Sequence, residues 1–120
     1  MNLLKSIALA STLAVLTLVF FWPVRLRADV SFWGHVFDLG HIPMLGWLAA
    51  VLLYALPERV QPATRRHALA FALAVAFAVA IEWLQPLFGR SKSLGDVANG
   101  AIGAALALTG IAAWQRTGRW

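Results

Sequence analysis

The chain has no cysteine, few charged side chains and no basic run. Without cysteine there are neither disulfides nor thiolate metal ligands, and the redox compartment stays open. Only 12% of the 120 residues are charged against 61% hydrophobic, and the mean hydropathy is +0.74. A soluble domain of this size needs far more charged surface. The net charge of +5 is no nucleic-acid signature, because the ten Lys and Arg are scattered through connecting segments and no nucleic-acid motif is present. No nucleic acid is therefore expected as a partner. There is also no nucleophile elbow, P-loop or zinc-protease motif, and Ser91 and Ser93 have no base beside them in the sequence.

What the chain has is long apolar runs. A hydrocarbon core takes about 20 helical residues to cross, and four segments come near that length. The expected fold class is all-α: an integral membrane bundle of four transmembrane helices in a single domain, 1–120, with helices over 3–23, 36–56, 67–85 and 93–114. A cleaved signal peptide is the rival reading of the first segment. Its apolar run is long for that role, and Leu26 and Arg27 stand before Ala28 where a small-x-small site would be.

Residues 24–35 read as an interfacial connector, and 57–66, with two prolines and three arginines, as a solvent loop. Pro43 falls near the start of the second segment, where proline is best tolerated. Ala68, Ala72, Ala76 and Ala80 recur every fourth residue, a small face on which another helix can pack; Asn99, Gly103 and Ala107 offer a matching face on the fourth segment. Trp22, Trp33, Trp83 and Trp114 read as interfacial anchors.

Four segments bring both termini to one side. Lys5, Arg59, Arg65, Arg66, Arg116 and Arg119 lie there, against Arg25, Arg27, Arg90 and Lys92 on the other. Six positive residues against four place both termini in the cytoplasm by the positive-inside rule. The same topology brings three polar stretches to the other end: Asp38 and His41 opening the second segment, Glu82 and Gln85 closing the third, and Asp96 and Asn99 opening the fourth. Ionisable groups this close to membrane-like segments are costly and call for partners and a reason.

The stretch from Glu82 to Gly103 resembles the VanZ-like family of small integral membrane proteins. In that family a Glu-x-x-Gln at a helix end leads through a Gly-Arg turn to Ser-Leu-x-Asp and then to an Asn and a Gly. Those positions are here Glu82, Gln85, Gly89, Arg90, Ser93, Leu94, Asp96, Asn99 and Gly103. The family's earlier Asp and His look like Asp38 and His41, so the resemblance covers most of 36–110. Two spacings differ: Leu39 and Gly40 alone separate Asp38 from His41, and Asn99 stands three residues after Asp96 where the family has four. The resemblance implies a bacterial cell-membrane protein connected with low-level resistance to teicoplanin, an antibiotic of the cell envelope. It supplies no reaction.

Each polar residue has a structural and a functional reading. Arg90 can clasp Glu82 or Asp96, or bind a phosphate or carboxylate with its planar fork. Asp96 can be the N3 acid of a capping box with Ser93, or carry a proton or ligand. Glu82 lies at a helix C-terminus, where the dipole disfavours negative charge. It needs Arg90, a proton or a cation, and ranks first among the functional candidates. His41 is a buried hydrogen-bonding group or a general base. A metal held by His41, Glu82 and Asp96 is conceivable from the ligand types, but no spacing demands it, so neither metal nor cofactor is expected.

The sequence thus predicts a polar pocket built from Arg90, Glu82, Gln85, Asp96, Asn99, Asp38 and Ser93. It would engage an anionic envelope component, such as a lipid headgroup or a lipid-linked cell-wall precursor. The first rival is a membrane enzyme acting on a lipid-linked substrate, with Glu82, Asp96 and His41 as acid–base groups. The second is a structural protein in which the cluster is a salt-bridge clasp. Membrane lipids are the expected partners, and a homo-oligomer is left open.

Overall fold

The fold, taken from a computed structural model, is described over residues 2–21, 30–84, 87 and 94–117; at 21, 30–38 and 94 the description is limited to the backbone. Among the described residues four α-helices follow one another: α1 (Leu3–Phe21), α2 (Val30–Ala55), α3 (Ala63–Leu84) and α4 (Leu94–Arg116). Three stretches are long and apolar enough to cross a membrane, Leu3–Phe20, Ala63–Leu84 and Gly95–Arg116. The described apolar part of α2, Leu39–Ala55, is shorter.

Local chemistry sets the ends. Asn2 caps α1, its side-chain oxygen accepting from the Lys5 backbone N–H at 2.9 Å. α2 stops at Ala55, two residues before Pro57, and a tight turn follows in which Val60 N–H donates to the Pro57 carbonyl. The Pro62 carbonyl accepts the first bonds of α3, from Arg65 and Arg66. α4 carries Asp96 in its first turn and Arg116 in its last, each at the end where the helix dipole favours its charge.

Two boundaries differ from the sequence expectation. α2 begins at Val30, so Trp33 and Gly34 belong to a helix and Pro43 lies inside it. Proline inside an apolar helix is sustainable where neighbouring helices pack around it. α3 begins at Ala63, which takes Arg65 and Arg66 out of the connector. Arg66 serves the fold directly, its Nη2 donating to the carbonyls of Leu53 and Leu56 at 3.0 and 3.2 Å. These are among the orphan carbonyls at the α2 C-terminus, so one cation caps a helix other than its own.

The helices run up and down. Lys5 at the start of α1 lies over the Tyr54 ring near the end of α2, 5.4 Å from its centroid, while Phe20 at the end of α1 stacks on His41. α2 is central: its contact with α4 is the most extensive in the bundle, and it also packs against α1 and α3. The core is built from Leu45, Leu48 and Ala49 of α2, Ala70, Ala74 and Ala78 of α3, Ala104 and Leu108 of α4, and Leu16 and Phe20 of α1.

Small residues set how closely these helices approach. A Cβ added at Gly103 would overlap the backbone of Ile42, and one at Gly46 would stand 3.0 Å from the Gly103 carbonyl oxygen. The small face of α4 thus meets α2. On α3 the buried stripe is Ala70, Ala74 and Ala78, and the expected stripe of Ala68, Ala72, Ala76 and Ala80 is exposed. Alanine occupies every even position from 68 to 80, so two period-four stripes were available. The one in line with Glu82 is the one that packs.

Candidate functional site

Three helices each bring one ionisable side chain to the end of the bundle away from the termini. His41 comes from α2, Glu82 from the last turn of α3, and Asp96 from the first turn of α4. They are 4%, 3% and 7% exposed, so each is more than nine-tenths buried. A ligand atom from each of the three lies within 4.8 Å of the other two. His41 Nε2 stands 3.8 Å from Asp96 Oδ2, within ion-pair reach but beyond hydrogen-bond length.

The backbone explains the convergence. The close approach at Gly103 holds α2 to α4 at Ile42, next to His41 in sequence. Gly100, one turn beyond Asp96, faces Leu45 of α2 and Ala78 of α3, so one position of α4 touches both partner helices. Ala78 is one turn before Glu82. The packing contacts and the ionisable residues therefore occupy the same faces of the three helices. Phe20 completes the wall from α1, its ring stacked on His41 at 4.7 Å between centroids and 24° between planes. Phe77 lies tilted against Phe20 at 6.5 Å.

The electrostatics of the two carboxylates differ. Asp96 sits at the positive end of α4 and Glu82 near the negative end of α3. With both ionised, the trio is net negative even when the imidazole is protonated. Burial makes that charge expensive unless a cation or proton balances it.

Of the other expected site residues, Asn99 lies on α4 near Asp96 and is half-buried. Asp38 is on α2, three residues before His41, but its side chain falls outside the described residues, as do Gln85, Arg90 and Ser93 altogether. Phe20 is the residue that sequence reasoning missed at the site. Within Phe20-Phe21-Trp22-Pro23 it reads as one more aromatic at a helix end, and nothing in the sequence marks it as the ring that covers a histidine. Trp47 was missed as a packing residue: its Nε1 donates to Thr12 Oγ1 at 3.1 Å and ties α1 to α2.

The opposite end is polar in another way. A cavity of about 220 Å³ there is lined in part by Lys5, Tyr54, Glu58, Arg66 and Gln115. Its cations already serve the fold, Arg66 by capping α2 and Lys5 by lying over Tyr54.

Compared with protein-family models, curated proteins and solved structures, the chain matches none. The site's chemistry must therefore be read from its own residues: one imidazole and two carboxylates, buried together.

Proposed function

We propose that the chain is an integral membrane protein of VanZ-like type, with four spans and both termini in the cytoplasm of a bacterial cell. In this reading α2 crosses the membrane with the other three helices. The polar end of the bundle engages an anionic component of the cell envelope, a lipid headgroup or a lipid-linked cell-wall precursor. The observation that carries the reading is the convergence of His41, Glu82 and Asp96 at one end of an apolar bundle. The connector with Arg90 and Lys92 leaves from that same end. Arg90 stands in the sequence between Glu82 and Asp96, and the planar fork of an arginine suits a phosphate or carboxylate. An altered response to teicoplanin would follow from occupancy of such an envelope component.

Native mass spectrometry of wild type beside Arg90→Ala, from mild detergent and matched for folded fraction, tests this. An anionic lipid or precursor retained by wild type and lost in Arg90→Ala supports the pocket. No specific adduct in either protein refutes it.

A second reading has its own observation. The 3.8 Å approach of His41 Nε2 to Asp96 Oδ2 sets an imidazole within ion-pair reach of a carboxylate, the residue types used in general acid–base catalysis. Such an enzyme would alter a lipid-linked substrate, and the altered product would disappear in Glu82→Gln.

A further inference from the structure

We propose that His41, Glu82 and Asp96 bind one divalent first-row metal ion of the zinc or manganese class. The proposal deepens the reading above by naming what balances the two carboxylates, and it can stand if the anionic ligand proves wrong.

The donor set comes first. One imidazole nitrogen and two carboxylate oxygens, in a chain without thiolates, suit Zn²⁺ or Mn²⁺ and are poor for Cu(I) or an iron–sulfur cluster. Three protein ligands leave at least one coordination position open, the arrangement of a site that takes an oxygen from outside the protein. A phosphate oxygen of an envelope component fits that position.

The spacing is close to what a metal needs. Ligand atoms on a tetrahedral zinc, at about 2.0–2.1 Å from the ion, stand about 3.3 Å from one another. His41 Nε2 and Asp96 Oδ2 are 3.8 Å apart, so that pair closes by about 0.5 Å on binding. All pairs lie within 4.8 Å. Glu82 has a longer side chain than Asp96, and torsion about its own bonds covers the remaining gap.

The scaffold is closely packed where the ligands leave it. Each ligand comes from a different helix, and the contacts of Gly103 with Ile42 and of Gly100 with Leu45 and Ala78 fix the three backbones beside the cluster. The Phe20 ring restrains the His41 imidazole. A preorganised ligand set of this kind lowers the ordering cost of binding an ion.

Charge points to the same ion. The trio is net negative with both carboxylates ionised, it is more than nine-tenths buried, and Glu82 stands near the negative pole of α3. A doubly charged cation at the centre of the three balances all of this at once. With a neutral imidazole ligand the site then carries no net charge, and the open coordination position can take an anionic oxygen without repulsion.

The test uses the full chain in lipid-free detergent, stripped with chelator and dialysed to equilibrium against Zn²⁺ or Mn²⁺. The expected result is about one ion per chain in wild type, with affinity about tenfold lower or worse in Glu82→Gln, Asp96→Asn and His41→Ala. His67→Ala should be unchanged, since that residue lies at the far end of α3 with Nδ1 against the Ala63 carbonyl. Wild type that retains neither ion, or variants that retain it as well as wild type, overturn the proposal. Should a variant fail to fold, wild type alone decides: the bound Mn²⁺ must show hyperfine coupling to one imidazole nitrogen, and no coupling overturns the site. A metal-free wild type with an early-melting Arg90→Ala assigns the carboxylates to Arg90 instead. Because metal is counted without lipid, an ion bound with no anion retained refutes only the proposed function. An anion retained by metal-free protein refutes only the metal.

Discussion

The two ends of the bundle use their charges differently. At the end bearing the termini, Arg66 donates to the last carbonyls of α2 and Lys5 lies over Tyr54, so each cation answers a need of the fold. At the other end three ionisable groups are buried more deeply, with two carboxylates among them. Glu82 lies in the last turn of α3, where the helix pole opposes its charge. Charges that stabilise a bundle can be told from charges that it carries at a cost, and the second kind marks the candidate for function.

The largest effect should come from separating the helices that hold the site together. Gly103→Ala places a Cβ against the Ile42 backbone and should destabilise the fold by about 3 kcal/mol, with loss of metal, whereas Gly110→Ala, with open space around it, should change neither. Chemical unfolding in detergent measures both. If Gly103→Ala is as stable as Gly110→Ala, packing does not set the site. Next comes Arg66→Met, which removes two charge-assisted bonds to helix carbonyls and should cost about 2 kcal/mol while leaving metal binding intact. Loss of metal in that variant would erase the division between the ends.

The opposite sign is expected at the site. In chelator, Glu82→Gln should unfold at or above the wild-type midpoint, a gain of about 1 kcal/mol; with Zn²⁺ present the order should reverse. A destabilised Glu82→Gln in chelator would put Glu82 among the structural charges. The smallest effect is at Lys5→Met, about 0.5 kcal/mol for a cation–π contact near the surface. A much larger loss would mean that the cavity beside Lys5 holds more of the fold together than its visible contacts suggest.

Much of the fold was legible in the sequence. Long apolar runs separated by the 24–35 connector, by Pro57 and Pro62 and by the Pro86–Gly89 stretch predict four helices, and the described residues form four. The meeting of the end of α3 with the start of α4 was legible as well, but α2 begins at Val30, so His41 reaches that level from about three turns inside its helix and not from its start. His41, Glu82 and Asp96 meet there. The connectors were read less well. Arg65 and Arg66 look like loop residues beside two prolines, yet α3 takes them in, and what draws Arg66 is a set of carbonyls ten to thirteen residues away that no local pattern announces. Of the four expected spans the described residues show three long and apolar enough to cross a membrane, and the described apolar part of α2 is shorter.

The sequence by itself determined the helical class, the four described helices, and that the end of α3 with Glu82 and the start of α4 with Asp96 lie at one level. Helix length and the order of the chain suffice for that. Rotation about each helix axis was decided only in the tertiary structure. In α3 alanine alternates with large residues, so the Ala68 and Ala70 stripes are equally small and equally apolar, and hydrophobicity cannot choose between them. Packing against Leu45 and Gly100 chose the stripe that ends in Glu82. That rotation, with the backbone contact that only glycine at 103 permits, put an imidazole and two carboxylates within reach of one ion.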